Sequence, residues 1–281
     1  MRKILVPTDF SENAFNALKY ACQIFKNEKN ELIILHAYAD EVYAQDTSMQ
    51  SSPLEELKEV TSLNSEKHLK QLLKKIQLYS PNSKYHYKTV SVFGALVDEI
   101  NEWVNQKNID IVVIGTRKKN NDCNITFGTN TLQVLKYVNC PVLVIPESYE
   151  YHPLKEVLFP TDYMIPYKQR EMKLLCALTA SFQSTIHMLY IDPIKKLSMR
   201  QLGNQKFLSL CLKKLELIFE TSPEKDKTIA ITKYIVHRNI DMLVLVNSRH
   251  SYIEDMLYQS TIDQIELNIQ IPFLLMQNLP R

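Results

Sequence analysis

Ile109-Asp-Ile-Val-Val-Ile-Gly115-Thr-Arg-Lys118, followed shortly by Phe127-Gly128-Thr129, decides the fold. A run of β-branched residues, the composition of a buried strand, ends in glycine. The chain of 281 residues has only four glycines, so half of them fall within this stretch. Glycine is needed where a backbone turns sharply or lies against a ligand. A buried strand that runs into glycine and then a helix start is where open α/β sheets hold phosphate, because free N–H groups and the helix dipole face the anion.

The stretch has a counterpart in Ile240-Asp-Met-Leu-Val-Leu-Val246-Asn-Ser-Arg249, where both glycines are lost. Pro7-Thr8-Asp9 likewise returns as Pro160-Thr161-Asp162, and Pro141 as Pro272. Three anchors in the same order indicate duplication. Short apolar runs at 4–6, 32–35, 90–93, 111–114 and 142–145 recur at 157–159, 186–191, 215–219, 242–246 and 273–276. Helical patterns lie between them, such as Ala14, Leu18, Ala21 and Cys22, then Leu54, Leu57, Val60, Leu69, Leu72, Leu73 and Ile76, then 95–106 and 130–138. Apolar strands alternating with amphipathic helices predict a parallel sheet covered on both faces. The expected architecture is α/β: two tandem domains, 1–148 and 152–281, each an open, five-stranded, mainly parallel sheet flanked by helices. The linker is expected near 147–153, and the polar stretch 40–53 reads as the longest loop.

With 45% hydrophobic residues, two packed cores are within reach. A net charge of +2 and the lack of an aromatic-interleaved basic patch disfavour nucleic acid. No segment approaches the roughly 20 apolar residues of a membrane helix. The N-terminus meets Pro7 and Asp9 after three apolar residues and reads as a first strand, not an export signal. Five widely spaced cysteines without a CxxC pair suggest reduced thiols in a cytoplasm. Abundant Lys, Asn, Ile and Tyr suggest a low-GC bacterium.

Together these residues resemble the universal stress protein family in its tandem, two-domain form. Ile4-Leu-Val-Pro-Thr-Asp-Phe-Ser-Glu12 looks like the family's first strand and turn, and Asn139-Cys-Pro-Val-Leu-Val-Ile145 like its closing strand. Gly115-x2-Lys118-x9-Gly128-Thr129 matches the family's phosphate motif, Gly-x2-Gly-x9-Gly-Ser/Thr, at every position but Lys118. The resemblance implies a Rossmann-like, adenine-nucleotide alpha-hydrolase-like fold with strand order 3-2-1-4-5 in each domain. It also implies an internal pseudo-dimer with adjacent closing strands, and it allows a homodimer. Carried over by position, it places Asp9 and Ala37 near an adenine base and Pro7 and Gly115 near the ribose, with Thr8 between Pro7 and Asp9 also counted among the binding residues. Gly128 and Thr129 would meet the phosphates, with Arg117 and Lys118 beside them. ATP is the implied ligand, bound by the first domain only.

Each feature also has a plainer role. Gly115 is expected to be a turn glycine at positive φ, and Thr129 the N-cap of a helix. Asp9 is weakly diagnostic, because the second copy keeps its triad while its phosphate loop reads Val246, Arg249, Gln259 and Ser260. Lys118 cuts both ways: its side chain blocks a backbone–phosphate contact, or its charge beside Arg117 and Lys119 replaces one. No Walker loop, GxSxG elbow or HExxH motif occurs. His36 and His187 read as satisfied core residues, Trp103 and Tyr234 as packing, and Asp98 and Glu99 as dipole-favoured helix carboxylates. A nucleotide-binding regulatory module leads. A nucleotide-free scaffold, using the 40–53 loop or the basic turn, is the alternative. A slow ATPase or phosphotransferase, with Asp122 the candidate metal-binding carboxylate in this stretch, ranks third.

Overall fold

The computed structural model describes residues 1–46, 54–117, 128–192, 196–247 and 270–278. The chain divides into two compact units, the first built from Met1–Thr116 and Thr129–Ser148, the second from Arg117–Gly128 and Tyr149–Arg281. The first runs β1 (Arg2–Pro7), α1 (Glu12–Ile24), β2 (Asn30–Ala37), α2 (Ala39–Asp46), α3 (Leu54–Tyr79), β3 (Tyr85–Val92), α4 (Leu96–Lys107), β4 (Ile111–Gly115), α5 (Thr129–Tyr137) and β5 (Val142–Ile145). Its strands lie in the order β3-β2-β1-β4-β5, and every pair is parallel.

The second unit repeats the plan with β6 (Glu156–Pro160), α6 (Gln169–Ala180), β7 (Thr185–Ile191), α7 (Met199–Cys211), β8 (Glu216–Ser222), α8 (Lys227–Arg238), β9 (Met242–Asn247) and β10 (Phe273–Gln277). Its order is β8-β7-β6-β9-β10, again parallel throughout. Each unit is thus the open, five-stranded α/β sheet expected from the alternating pattern.

The central strands explain why the pattern is so legible. Ile4, Leu5 and Val6 of β1 and Ile111, Val112 and Val113 of β4 are wholly buried, as are Val157, Leu158 and Phe159 of β6. Burying each such side chain is worth about 1.5–3 kcal/mol. The edge strands β3 and β8 are half-buried or exposed at every position but Tyr85. They are therefore longer than their apolar runs, 90–93 and 215–219.

Local chemistry sets the ends of elements in the same way in both units. Asn108 and Asn239 cap α4 and α8 in the left-handed conformation, at φ 52° and 50°. Asp110 then accepts a hydrogen bond from Lys3 N at 2.9 Å. Asp241 accepts two, from Lys155 N at 2.7 Å and Glu156 N at 2.9 Å. The repeated Asn-Ile-Asp thus ends a helix and clamps the start of the neighbouring strand.

The expected loop at 40–53 is corrected in its first half, where Ala39–Asp46 is helix α2. Polar residues fill its outer face, but Val42 is wholly buried and packs with Tyr38, Leu57 and the partly buried Phe93. This buried cluster, with the bond from Glu41 to His36, holds a helix that composition disguised. Residues 47–53 lie outside the described set.

Candidate functional site at the carboxyl ends of the strands

The strand order of the first sheet reverses between β1 and β4, and such a switch point is where open α/β sheets take ligands. The register Ile4↔Ile111 and Leu5↔Val112 puts Gly115 level with Thr8. Pro7 ends β1 and Ala37 ends β2, so Pro7, Thr8, Asp9, Ala37 and Gly115 share the carboxyl edge. Arg117 follows Gly115 and is exposed. Gly128 and Thr129 lead into α5. Lys118, the cation on which the motif departs from the family, lies outside the described residues, as does Asp122.

Pro7-Thr8-Asp9 has a defined local task. Thr8 Oγ1 accepts from Phe10 N at 3.0 Å, and Asp9 Oδ1 accepts from Ser11 N at 3.0 Å. These bonds hold Phe10 at φ 61°, a conformation uncommon outside glycine. Ser11 can then cap α1, its side chain accepting from Ala14 N at 3.1 Å. The second unit repeats this turn: Thr161 Oγ1 accepts from Tyr163 N at 3.0 Å, Asp162 Oδ1 from Met164 N at 2.8 Å, and Tyr163 stands at φ 57°. The triad's retention therefore needs no ligand to explain it.

Gly115 does not take a positive φ, which corrects its reading as a turn glycine. Its reason is steric. A Cβ there would stand 2.8 Å from the backbone oxygen of Asn13 and 2.9 Å from Asn13 Nδ2. The first turn of α1 lies directly on the end of β4. Asn13 Oδ1 is buried there without a hydrogen-bond partner.

Thr129 is the first helical residue of α5, not its N-cap, because the helix begins one residue earlier than expected. Thr129 is exposed, and the anchoring falls to Thr131, whose hydroxyl donates to Gly115 O at 3.1 Å. Thr131 thus ties the start of α5 to the end of β4. The sequence offered one sign of it: a second hydroxyl two residues beyond the motif. A Cβ on Gly128 would meet Arg117 O at 3.4 Å, so the two arms of the motif come together.

The universal stress protein family's sequence profile matches residues 1–146. The chain belongs to the universal stress protein family. It is 30% identical over 153 residues to universal stress protein MJ0577 of Methanocaldococcus jannaschii, covering 51% of this chain and 94% of that protein. It is 30% identical to MJ0531 of the same organism, covering 51% of this chain and 81% of that one. A universal stress protein from Archaeoglobus fulgidus shares the fold at TM-score 0.71 and 16% identity, covering 99% of this chain and 98% of that one.

The second universal stress fold differs at the same edge. The register Val157↔Met242 and Leu158↔Leu243 puts Val246 level with Thr161, at the place of Gly115. Helix α6 starts seven residues after Asp162, whereas α1 starts three after Asp9. Pro166 stands where the first copy has Asn13 and disfavours a helical Ile165. Its carbonyl is held by Asn278 Nδ2 at 2.9 Å. The missing helical turn leaves a cleft of about 600 Å³, counting its open mouth, lined by residues including Ile165, Tyr167, Lys227 and Val246. Pro166 was the sequence's sign of this cleft.

The two buried histidines are satisfied. His36 pairs with Ser65 Oγ at 2.8 Å and Glu41 Oε1 at 3.0 Å, and His187 with Tyr234 OH at 2.9 Å and Glu156 Oε2 at 2.6 Å. Burial lowers the His36 pKa, opposed by the Glu41 carboxylate. Trp103 packs under Lys88 Nζ, 4.6 Å from its ring. Asp98 and Glu99 sit in the first turn of α4, and desolvation raises the Glu99 pKa, with Glu102 and Asp98 adding to it. Among the described residues, no three His, Cys, Asp or Glu side chains group as metal ligands, and no helix is long and apolar enough to cross a membrane.

Proposed function

We propose that the first unit binds an adenine nucleotide, ATP foremost, at the carboxyl edge of β1 and β4, and that the protein is a cytoplasmic nucleotide-dependent regulatory module. The docking of α5 on β4 through Thr131 and Gly115 O supports this most directly. It fixes a helix N-terminus beside the strand end, where unpaired N–H groups and the dipole attract phosphate. Asp9 and Ala37, at the ends of β1 and β2, would meet the base, with Pro7 and Gly115 at the ribose. Gly128 and Thr129 would meet the phosphates, and Arg117 and Lys118 would supply charge.

The test is isothermal titration of the whole protein with ATP and with adenosine. Thr129→Val keeps the shape of the side chain but removes a hydroxyl, and should weaken ATP by about 1–2 kcal/mol while sparing adenosine. Equal losses would place Thr129 away from the phosphates. No binding of either ligand by the unaltered protein would favour the scaffold reading. That reading draws on the triad turn, which is held identically in a unit whose Gly115 position is Val246.

A further inference from the structure

The cleft of the second unit occupies the place where this fold takes ligands, yet its lining is unsuited to phosphate. We infer that it binds a compact, mainly apolar molecule of zero net charge. This goes beyond the nucleotide reading of the first unit and does not depend on it.

The argument begins with the floor. At the Gly115 position a side chain is barred by Asn13, but at Val246 the corresponding helical turn is absent and the buried isopropyl group lines the cleft. Leu245, Ile191 and Ile231 continue this surface from β9, β7 and α8, and Ile165 closes it from the non-helical segment after Asp162. Apolar groups from four separate elements thus converge on one space; Ile165 and Ile191 are half-buried there and would lose their remaining contact with water to a ligand, while Leu245, Val246 and Ile231 are already buried.

The polar groups narrow the class. Thr161 and Tyr167 hydrogen-bond each other, and Thr161 Oγ1 also accepts from Tyr163 N. Burial pushes the Tyr167 phenol up, so it stays neutral at physiological pH. Among the described residues, the charges that line the cleft are one carboxylate, Asp162, and one ammonium, Lys227. They compensate each other. A polyphosphate would meet a single cation, an opposing anion and the Val246 side chain where a glycine backbone would have approached it. A neutral apolar ligand, or a zwitterion with an apolar body, satisfies both the walls and the charge balance.

The probe is N-phenyl-1-naphthylamine, an uncharged dye that brightens in apolar surroundings, titrated into the full chain with and without saturating ATP. Saturable binding of one equivalent is expected, unchanged by ATP. Ile165→Trp fills the cleft from a half-buried position outside any helix and should weaken the dye at least tenfold. Ile191→Trp does the same from the end of β7. Hydrogen exchange of the unaltered protein needs no variant, and the dye should slow exchange at 160–167 and 227–231. Displacement of the dye by ATP would overturn the inference in favour of a second nucleotide site. Non-saturable binding, undiminished binding by both folded variants, or protection elsewhere would also overturn it. Failure of ATP to bind at all leaves these outcomes unaltered and counts only against the first-unit reading.

Discussion

Gly115 shows how one residue can look functional and be structural too. Its four-residue distance from Ile111 marks a strand end, and its place in the motif suggests a ligand, but the contact that forbids a side chain is with Asn13. Backbone oxygen at 2.8 Å from a Cβ cannot swing aside as a side chain can. Gly115→Ala should therefore destabilise the first unit, by about 1–3 kcal/mol, the usual cost of overpacking. Urea unfolding of the two proteins, followed by tryptophan fluorescence, measures this. A loss below a few tenths of a kcal/mol would show that α1 retreats freely, and would leave ligand approach as the glycine's main reason. The same contact separates the two copies, since Val246 is tolerated only because α6 starts late.

At the scale of elements, the repeated Asn-Ile-Asp makes a paired prediction. Asp241 receives the backbone N–H groups of Lys155 and Glu156, and Asp110 receives that of Lys3. Removing a carboxylate leaves its donors less satisfied, at about 1–3 kcal/mol for a buried group and less where water reaches it. Asp241→Ala and Asp110→Ala should therefore each lower stability in denaturant unfolding, and no loss in either would refute the clamp. Both aspartates were visible in the sequence as a repeat, but their role was not, because it rests on pairing with a strand over 80 residues away. The central strands were legible because their middle residues are apolar and buried on both faces. The edge strands and α2 were less so, since half-exposed elements carry polar residues that mimic loops. Of the candidate site, Pro7, Asp9, Ala37 and Gly115 were carried over from the family resemblance, and they lie at or just beyond strand ends. Thr131, Asn13 and the second-unit cleft did not, because each depends on where a helix begins relative to a neighbouring strand. Helix boundaries are the part of a sequence reading least fixed by periodicity.

For the molecule as a whole, one fold occurs twice with its ligand edge finished in two ways, and the protein carries its own reporter of which copy responds. The chain has a single tryptophan, Trp103, in α4 of the first unit, where Lys88 Nζ lies 4.6 Å from its ring. Tryptophan fluorescence therefore follows the first unit alone, whereas far-ultraviolet circular dichroism sums the helices of both. A ligand that binds only the folded form stabilises it by RT ln(1 + [L]/Kd), about 2.7 kcal/mol at a hundredfold excess over Kd. With ATP at that excess, the fluorescence transition in guanidinium should shift by the corresponding amount. The part of the dichroism change not matched by fluorescence should stay in place. N-phenyl-1-naphthylamine should do the opposite, leaving the Trp103 transition fixed while moving the remainder. If ATP moves both parts equally, nucleotide binding is not confined to the first copy. If the dye moves the Trp103 transition, the apolar site does not belong to the second. Opposite responses to the two ligands are what the different edges require: a glycine end beneath a docked helix N-terminus in one copy, and a valine floor under a missing helical turn in the other.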